Sequence, residues 1–215
     1  MEKKNRKKLC VAVCLLAMFA VWTLLVSFVD VRDMGPMGSS VGFAALNGFV
    51  RGLVGVNMTL YTLTDWLGLV PIATAFGFAV LGLAQWIKRK NILKVDYSIL
   101  ALGVFYIAVI AVYIFFEYAV INYRPVLIDG YLEASYPSST TMLVTCVMPT
   151  ALMQFNIRIK NHVLRKCVGI AIIAFTVFTV AGRIISGVHW ITDIIGGALF
   201  SAGIVTLYGA LGKCE

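Results

Sequence analysis

Long, nearly unbroken apolar runs dominate the chain, and its charged residues are gathered between them. A helix needs about 20 residues to cross about 30 Å of hydrocarbon. Leu9–Val29, Trp66–Ile87, Val95–Val120, Thr140–Ile157 and Trp190–Leu211 fit that length, and Cys167–Ala181 is a shorter run of the same kind. The pattern predicts an all-α fold, a six-transmembrane-helix bundle with short loops and antiparallel neighbours. Val41–Leu63 is also apolar, but Asn47, Arg51, Asn57 and several glycines interrupt it. It is expected to lie in the outer interface between the first and second spans as a short, glycine-broken helix. No internal repeat or linker divides the sequence, so residues 1–215 are expected to form a single membrane domain.

Composition agrees. Sixty per cent of residues are hydrophobic, 13% are charged and mean hydropathy is +0.92. No water-soluble domain of this size hides that much apolar surface. A soluble enzyme, a disordered chain and a disulfide-stapled secreted fold are excluded. Cys10, Cys14, Cys146, Cys167 and Cys214 form no CxxC pair and point to neither metal nor disulfide.

The net charge of +8 suggests nucleic acid until its distribution is considered. With six spans, Lys3, Lys4, Arg6, Lys7, Lys8, Lys88, Arg89, Lys90, Lys94, Arg158, Lys160, Arg165, Lys166 and Lys213 fall on one side. Only Arg32, Arg51, Arg124 and Arg183 fall on the other. This positive-inside bias places both termini in the cytoplasm and argues against a seventh span. The basic N-terminus resembles a signal peptide, but the apolar run is too long and no small-x-small cleavage site follows, so an uncleaved anchor is expected. The simple anchor and short loops suggest a bacterial plasma membrane.

The outward arginines carry the chemistry, because charge near hydrocarbon needs a reason. Arg32 belongs to a solvated loop and Arg51 is expected to snorkel to headgroups. Arg124 stands in Asn122-Tyr123-Arg124-Pro125 at the end of the third span, and Arg183 at the end of the fifth. Ser186-Gly187 makes a turn, after which His189 and Asp193, four apart, open the sixth span on one helix face. Tyr136-Pro137-Ser138-Ser139-Thr140-Thr141 enters the fourth span as a hydroxyl-rich helix N-terminus. All three clusters share one membrane side. Arginine grips phosphate oxygens bidentately, and helix N–H groups and hydroxyls fill the remaining lone pairs. A phosphate-bearing ligand follows from the set.

These residues resemble the motifs of the type 2 phosphatidic acid phosphatases, integral-membrane lipid phosphatases related to vanadium haloperoxidases. That family's motifs are K-x6-RP, PSGH and SR-x5-H-x3-D. Here they read Glu117-x6-Arg124-Pro125, Pro137-Ser138-Ser139-Thr140 and Gly182-Arg183-x5-His189-x3-Asp193. The resemblance covers roughly residues 60 to 210. It implies that His189 attacks phosphorus to form phosphohistidine and that Asp193 holds the other ring nitrogen. It also implies that Arg124, Arg183, Ser138, Ser139 and Thr140 bind the phosphate, and that no metal or other cofactor takes part. The implied substrate is a phospholipid or a polyprenyl phosphate or diphosphate, and the site faces outside.

The departures matter equally. The first-motif lysine is Glu117, the second-motif glycine and histidine are Ser139 and Thr140, and the third-motif serine is Gly182. The family's second-motif histidine protonates the leaving group, which Thr140 cannot do at neutral pH. Glu117, two helical turns before Arg124, is a substitute acid or one half of an ion pair. Asp129 and Glu133 are expected to be solvated loop residues, and His162 a solvated residue of the inner loop. The alternatives to a hydrolase are a catalytically impaired relative that binds or moves phospholipid headgroups, and a headgroup phosphotransferase.

Overall fold

The computed structural model describes residues 3–211, with side chains from residue 5. Lys213 and Cys214 lie outside the described residues, as do the side chains of Lys3 and Lys4. Six apolar stretches are long enough to cross a membrane. They are built from α1 (Lys3–Phe28), α3 with α4 (Met58–Leu67 and Leu69–Arg89), α5 (Tyr97–Tyr118), α6 (Ser139–Arg158), α7 (His162–Ser186) and α8 (Ile191–Leu211). The short α2 (Ala44–Val54) lies between the first two spans. Six crossings put the α1–α2 segment, the α5–α6 loop and the α7–α8 turn at one end of the bundle. The basic loops around Lys88–Lys94 and Arg158–Lys166 lie at the other.

Two of the spans, the second and the fifth, are much longer than the sequence expectation. The second span begins at Met58, not Trp66, so residues 58–63 leave the interfacial segment and join the membrane helix. Asn57 caps α3 by accepting the Leu60 N–H at 2.9 Å. The charge of Asp65, inside this span, is met by Arg183 of α7 at 2.6 Å. The helix breaks at Gly68. Pro71 explains it: proline offers no N–H to the carbonyl four residues back, Leu67, and its ring clashes there. The fifth span runs from His162 to Ser186, longer at both ends than Cys167–Ala181. Asn161 caps it by accepting the Leu164 N–H at 3.0 Å, so exposed His162 opens the helix rather than sitting in a loop. Arg183 therefore lies inside the last turn of α7, which Gly187 ends in a left-handed conformation (φ 62°).

α8 is the central element and packs along α1 and α6. Gly196 is needed there, since a Cβ at that position would come within 2.6 Å of the Tyr136 ring. The Tyr136 hydroxyl meets Thr23 of α1 at 2.7 Å, which ties the α5–α6 loop to the bundle. That loop is a small hairpin. Arg124 N–H donates to Glu133 at 3.0 Å and Ser135 N–H to Asn122 at 2.9 Å, and Asp129-Gly130 at the tip both have positive φ, as a tight primed turn requires.

Candidate active site

The hairpin, the N-terminus of α6 and the α7–α8 turn converge at one end of the bundle, and α3 closes the remaining side. His189 lies in the turn, two residues before α8 rather than on it. Its side chain is 1% exposed. Nε2 lies 3.2 Å from Nη1 of Arg124, and Nδ1 lies 3.3 Å from the Ser135 hydroxyl. A guanidinium can only donate, so Nε2 is the bare nitrogen and the ring proton sits on Nδ1. Burial pushes the imidazole pKa down to about 4; Asp193 opposes that shift and the Arg124 charge adds to it. The ring is neutral at pH 7.

Asp193 does not bond His189 directly. Its Oδ2 is 3.9 Å from Nδ1, and the Ser135 hydroxyl spans the gap by donating to the same oxygen. Asp193 also accepts the Trp190 N–H at 2.9 Å, which caps α8, and the Asn122 amide at 3.2 Å. Asn122 in turn accepts the Gly42 N–H at 3.2 Å. Ser135 carried no motif that would have singled it out. It is buried and aligned by the hairpin pairing of its own backbone with Asn122.

Arg124 and Arg183 flank one aromatic ring, that of Tyr61 in α3, at 5.7 and 4.8 Å from its centroid. Arg183 is 1% exposed; Nη2 reaches Asp65 at 2.6 Å and also donates to Thr140, while Nε and Nη1 have no hydrogen-bond partner. Arg124 Nε lies 3.0 Å from Glu133, without the alignment of a hydrogen bond. Glu133 is a loop residue, 44% exposed as expected, and is also an ion-pair partner. Neither Asp65 nor Tyr61 stood out in sequence, because each looks like an ordinary helix residue until α3 is packed on α7.

Ser138 is the N-cap of α6, and the N–H groups of Ser139, Thr140 and Thr141 have no acceptor within the helix. Ser138 itself is engaged: its N–H donates to the Asp193 carbonyl at 3.0 Å and its hydroxyl to Thr141 at 3.0 Å. Ser139 lines a small cavity together with Glu117, Ser135 and His189. Ser139 and Thr140 also head a cleft of about 600 Å³, otherwise lined by residues such as Leu69, Ile72, Val109, Ile110 and Leu143, between α4, α5 and α6. Arg51 turns toward the site. It donates to the Gly187 carbonyl at 3.1 Å and lies 5.8 Å from the Trp190 ring centroid. Among the described residues no group of three or more His, Cys, Asp or Glu is placed to hold a metal ion.

The arrangement offers a buried nitrogen lone pair, two guanidinium groups with N–H bonds to spare, and a helix N-terminus. Such a set can receive a tetrahedral anion next to a nitrogen with a free lone pair.

The PAP2 superfamily model matches residues 111–211. The fold is similar to the crystal structure of a transmembrane PAP2 type phosphatidylglycerolphosphate phosphatase from Bacillus subtilis. The TM-score is 0.59 over 93% of each chain, at 18% sequence identity. No curated protein matches the sequence. The three motifs thus fall inside the segment that matches the PAP2 superfamily, residues 111–211, on a fold similar to that of a transmembrane PAP2-type protein.

Proposed function

We propose that this chain is a lipid phosphatase that hydrolyses a phosphate or diphosphate monoester of a membrane lipid through a phosphohistidine on His189, at the outer face. The observation that carries the reading is the unprotonated Nε2 of buried His189, held 3.2 Å from Arg124 and grouped with Arg183 and the start of α6. An incoming phosphate draws Arg124 from Nε2 to its own oxygens and frees the lone pair. Arg183 supplies Nε–H and Nη1–H, and the first N–H groups of α6 complete the anion's shell. Nε2 attacks phosphorus, the P–O bond to the leaving group breaks, and the imidazolium keeps its Nδ1 proton on Ser135 and Asp193. Water then attacks phosphorus, its proton passing to the Glu117 carboxylate left by the first step, and the P–N bond breaks to release inorganic phosphate and restore the ring. The apolar cleft below Thr140 suits the lipid tail.

The leaving oxygen takes its proton from Glu117, which lines the same small cavity as His189. Leaving groups differ in need. An alkoxide is nearly as basic as hydroxide, whereas a phosphate monoester, with a second pKa of about 6, departs more readily. A polyprenyl diphosphate is therefore the better substrate, and phosphatidic acid the poorer.

One observation favours a non-catalytic headgroup binder: Thr140 stands at the acid's place and is bonded to Arg183. Phosphate release by detergent-purified protein separates the readings. The panel is phosphatidic acid, phosphatidylglycerol phosphate and a polyprenyl diphosphate, with EDTA and with His189→Ala alongside. Hydrolysis that His189→Ala abolishes supports the enzyme. No release from any substrate, with Arg124- and Arg183-dependent lipid binding, supports the binder.

A further inference from the structure

The helix α2 lies outside the segment that matches the PAP2 superfamily, yet one of its faces is built into the turn that bears His189. Asn47 and Arg51 are four residues apart and share that face. Asn47 is 1% exposed. Its Nδ2 donates to the Gly42 carbonyl at 2.7 Å and to the Thr192 hydroxyl at 3.0 Å, and its Oδ1 accepts the Thr192 N–H at 3.3 Å. That N–H belongs to the first turn of α8, where no intrahelical acceptor exists, so the cap comes from a different helix. Arg51 holds the Gly187 carbonyl at 3.1 Å. Gly187 and Thr192 bracket His189, two residues before it and three after. Asn47 and Arg51 also line a small cavity against His189, separate from the one that Glu117 lines. The opposite face of α2 carries exposed Leu46, Phe49 and Leu53, so the inner face alone meets the site.

We infer that Asn47 and Arg51 are positioning residues for His189: α2 clamps both ends of the 187–192 turn and so aims Nε2 at the phosphate. The inference deepens the phosphohistidine reading and rests on it. Nothing on α2 touches the reacting atoms. A nucleophile misplaced by about 1 Å loses about 100-fold in rate, so the clamp acts on turnover and not on lipid affinity.

The test uses full-length protein in detergent, in a His162→Gln background that leaves His189 as its sole histidine. Asn47→Ala is expected to lower kcat about 10- to 100-fold with KM within about twofold. Asn47→Asp keeps the acceptor for the Thr192 N–H at a helix N-terminus, where negative charge is favoured, and restores most of the loss. Arg51→Lys restores more than Arg51→Ala. A merely structural role would lower the melting temperature and the folded yield, would leave kcat per folded molecule unchanged, and would strike Asn47→Asp as hard as Asn47→Ala. The 15N spectrum of the imidazole gives a readout independent of activity. The parent protein keeps one protonated and one bare nitrogen, and Asn47→Ala mixes the two tautomers. Unchanged kcat together with an unchanged imidazole spectrum overturns the inference. If the parent hydrolyses none of the lipids, the phosphatase reading fails, and the spectra alone still decide the clamp.

Discussion

The Ser135 hydroxyl stands between His189 and Asp193, 3.3 Å from the ring nitrogen and hydrogen-bonded to the carboxylate. The carboxylate is thus one atom removed from the ring it is expected to orient. Its influence on the tautomer and on the imidazolium passes through a hydroxyl that accepts from Nδ1 and donates to Oδ2. Ser135→Ala breaks this relay while sparing the Trp190 and Asn122 bonds of Asp193. A hydrogen bond to a charged group contributes about 1.5–3 kcal/mol, so kcat should fall about 10- to 150-fold with little change in KM. Steady-state kinetics on the best lipid substrate checks this. An Ala variant with wild-type kcat would show that His189 and Asp193 close the 3.9 Å gap themselves.

Neutrality of His189 is the second prediction. Burial keeps the proton off until about pH 4, against an ordinary histidine value of about 6.5. In the His162→Gln background, 15N titration of the remaining imidazole should stay on the neutral form from pH 8 to about pH 5. Stability carries the matching sign. Between about pH 6.5 and 4 the unfolded chain binds the proton and the folded chain does not, so stability falls as pH drops through that window. A His189→Gln variant should lose that part of the slope. A ring that charges near pH 6.5 would contradict its placement beside Arg124.

Glu117 is tested through leaving groups. If it donates the proton, Glu117→Gln should lose about 10²–10⁴-fold on an alkyl phosphate lipid, whose leaving oxygen is strongly basic. The same variant should retain most activity on an aryl phosphate such as nitrophenyl phosphate, which leaves without help. Equal losses on both would demote Glu117 to a partner in packing, and no loss on either would remove it from the mechanism.

Much of this site was legible in sequence because the relevant signals are local. Arg124-Pro125, Ser138 at a helix start and the Arg183/His189/Asp193 spacing each lie within a few residues at the end of a span. The six spans follow equally from hydropathy, since hydrocarbon tolerates little else. What stayed hidden is non-local. Ser135 enters the relay only because the hairpin brings 122–124 against 133–135. Asp65 looks like an ordinary polar residue at the edge of an apolar run, and nothing near it in sequence shows that it belongs inside the second span. Its charge is met by an arginine 118 residues away. Asn47 read as an interruption of an apolar segment, whereas it is buried and fully bonded across 145 residues. In each case a polar residue inside an apolar stretch marked a partner elsewhere, and sequence alone does not name the partner.

Asp65 yields the last prediction. Its carboxylate, 58% exposed, holds a guanidinium that is only 1% exposed, so the two ends of this pair stand in unequal surroundings. Removing a partner from a buried charge typically destabilises by about 3–5 kcal/mol, and the exposed end of this pair puts Asp65→Asn at or below the lower figure. The same carboxylate puts a negative charge beside the Arg183 Nε–H and Nη1–H that would meet phosphate, so the variant should also bind phosphate more tightly. Both effects meet in one experiment. Without anion, Asp65→Asn should melt below the parent. With rising inorganic phosphate its melting temperature should climb more steeply, since ligand stabilises by RT ln(1 + [L]/Kd) and Kd has fallen. Arg183→Ala added to Asp65→Asn should flatten that climb. Parallel phosphate curves for parent and Asp65→Asn would mean that Arg183 does not receive the anion, and the phosphate-binding role would then rest on Arg124 and the α6 N-terminus.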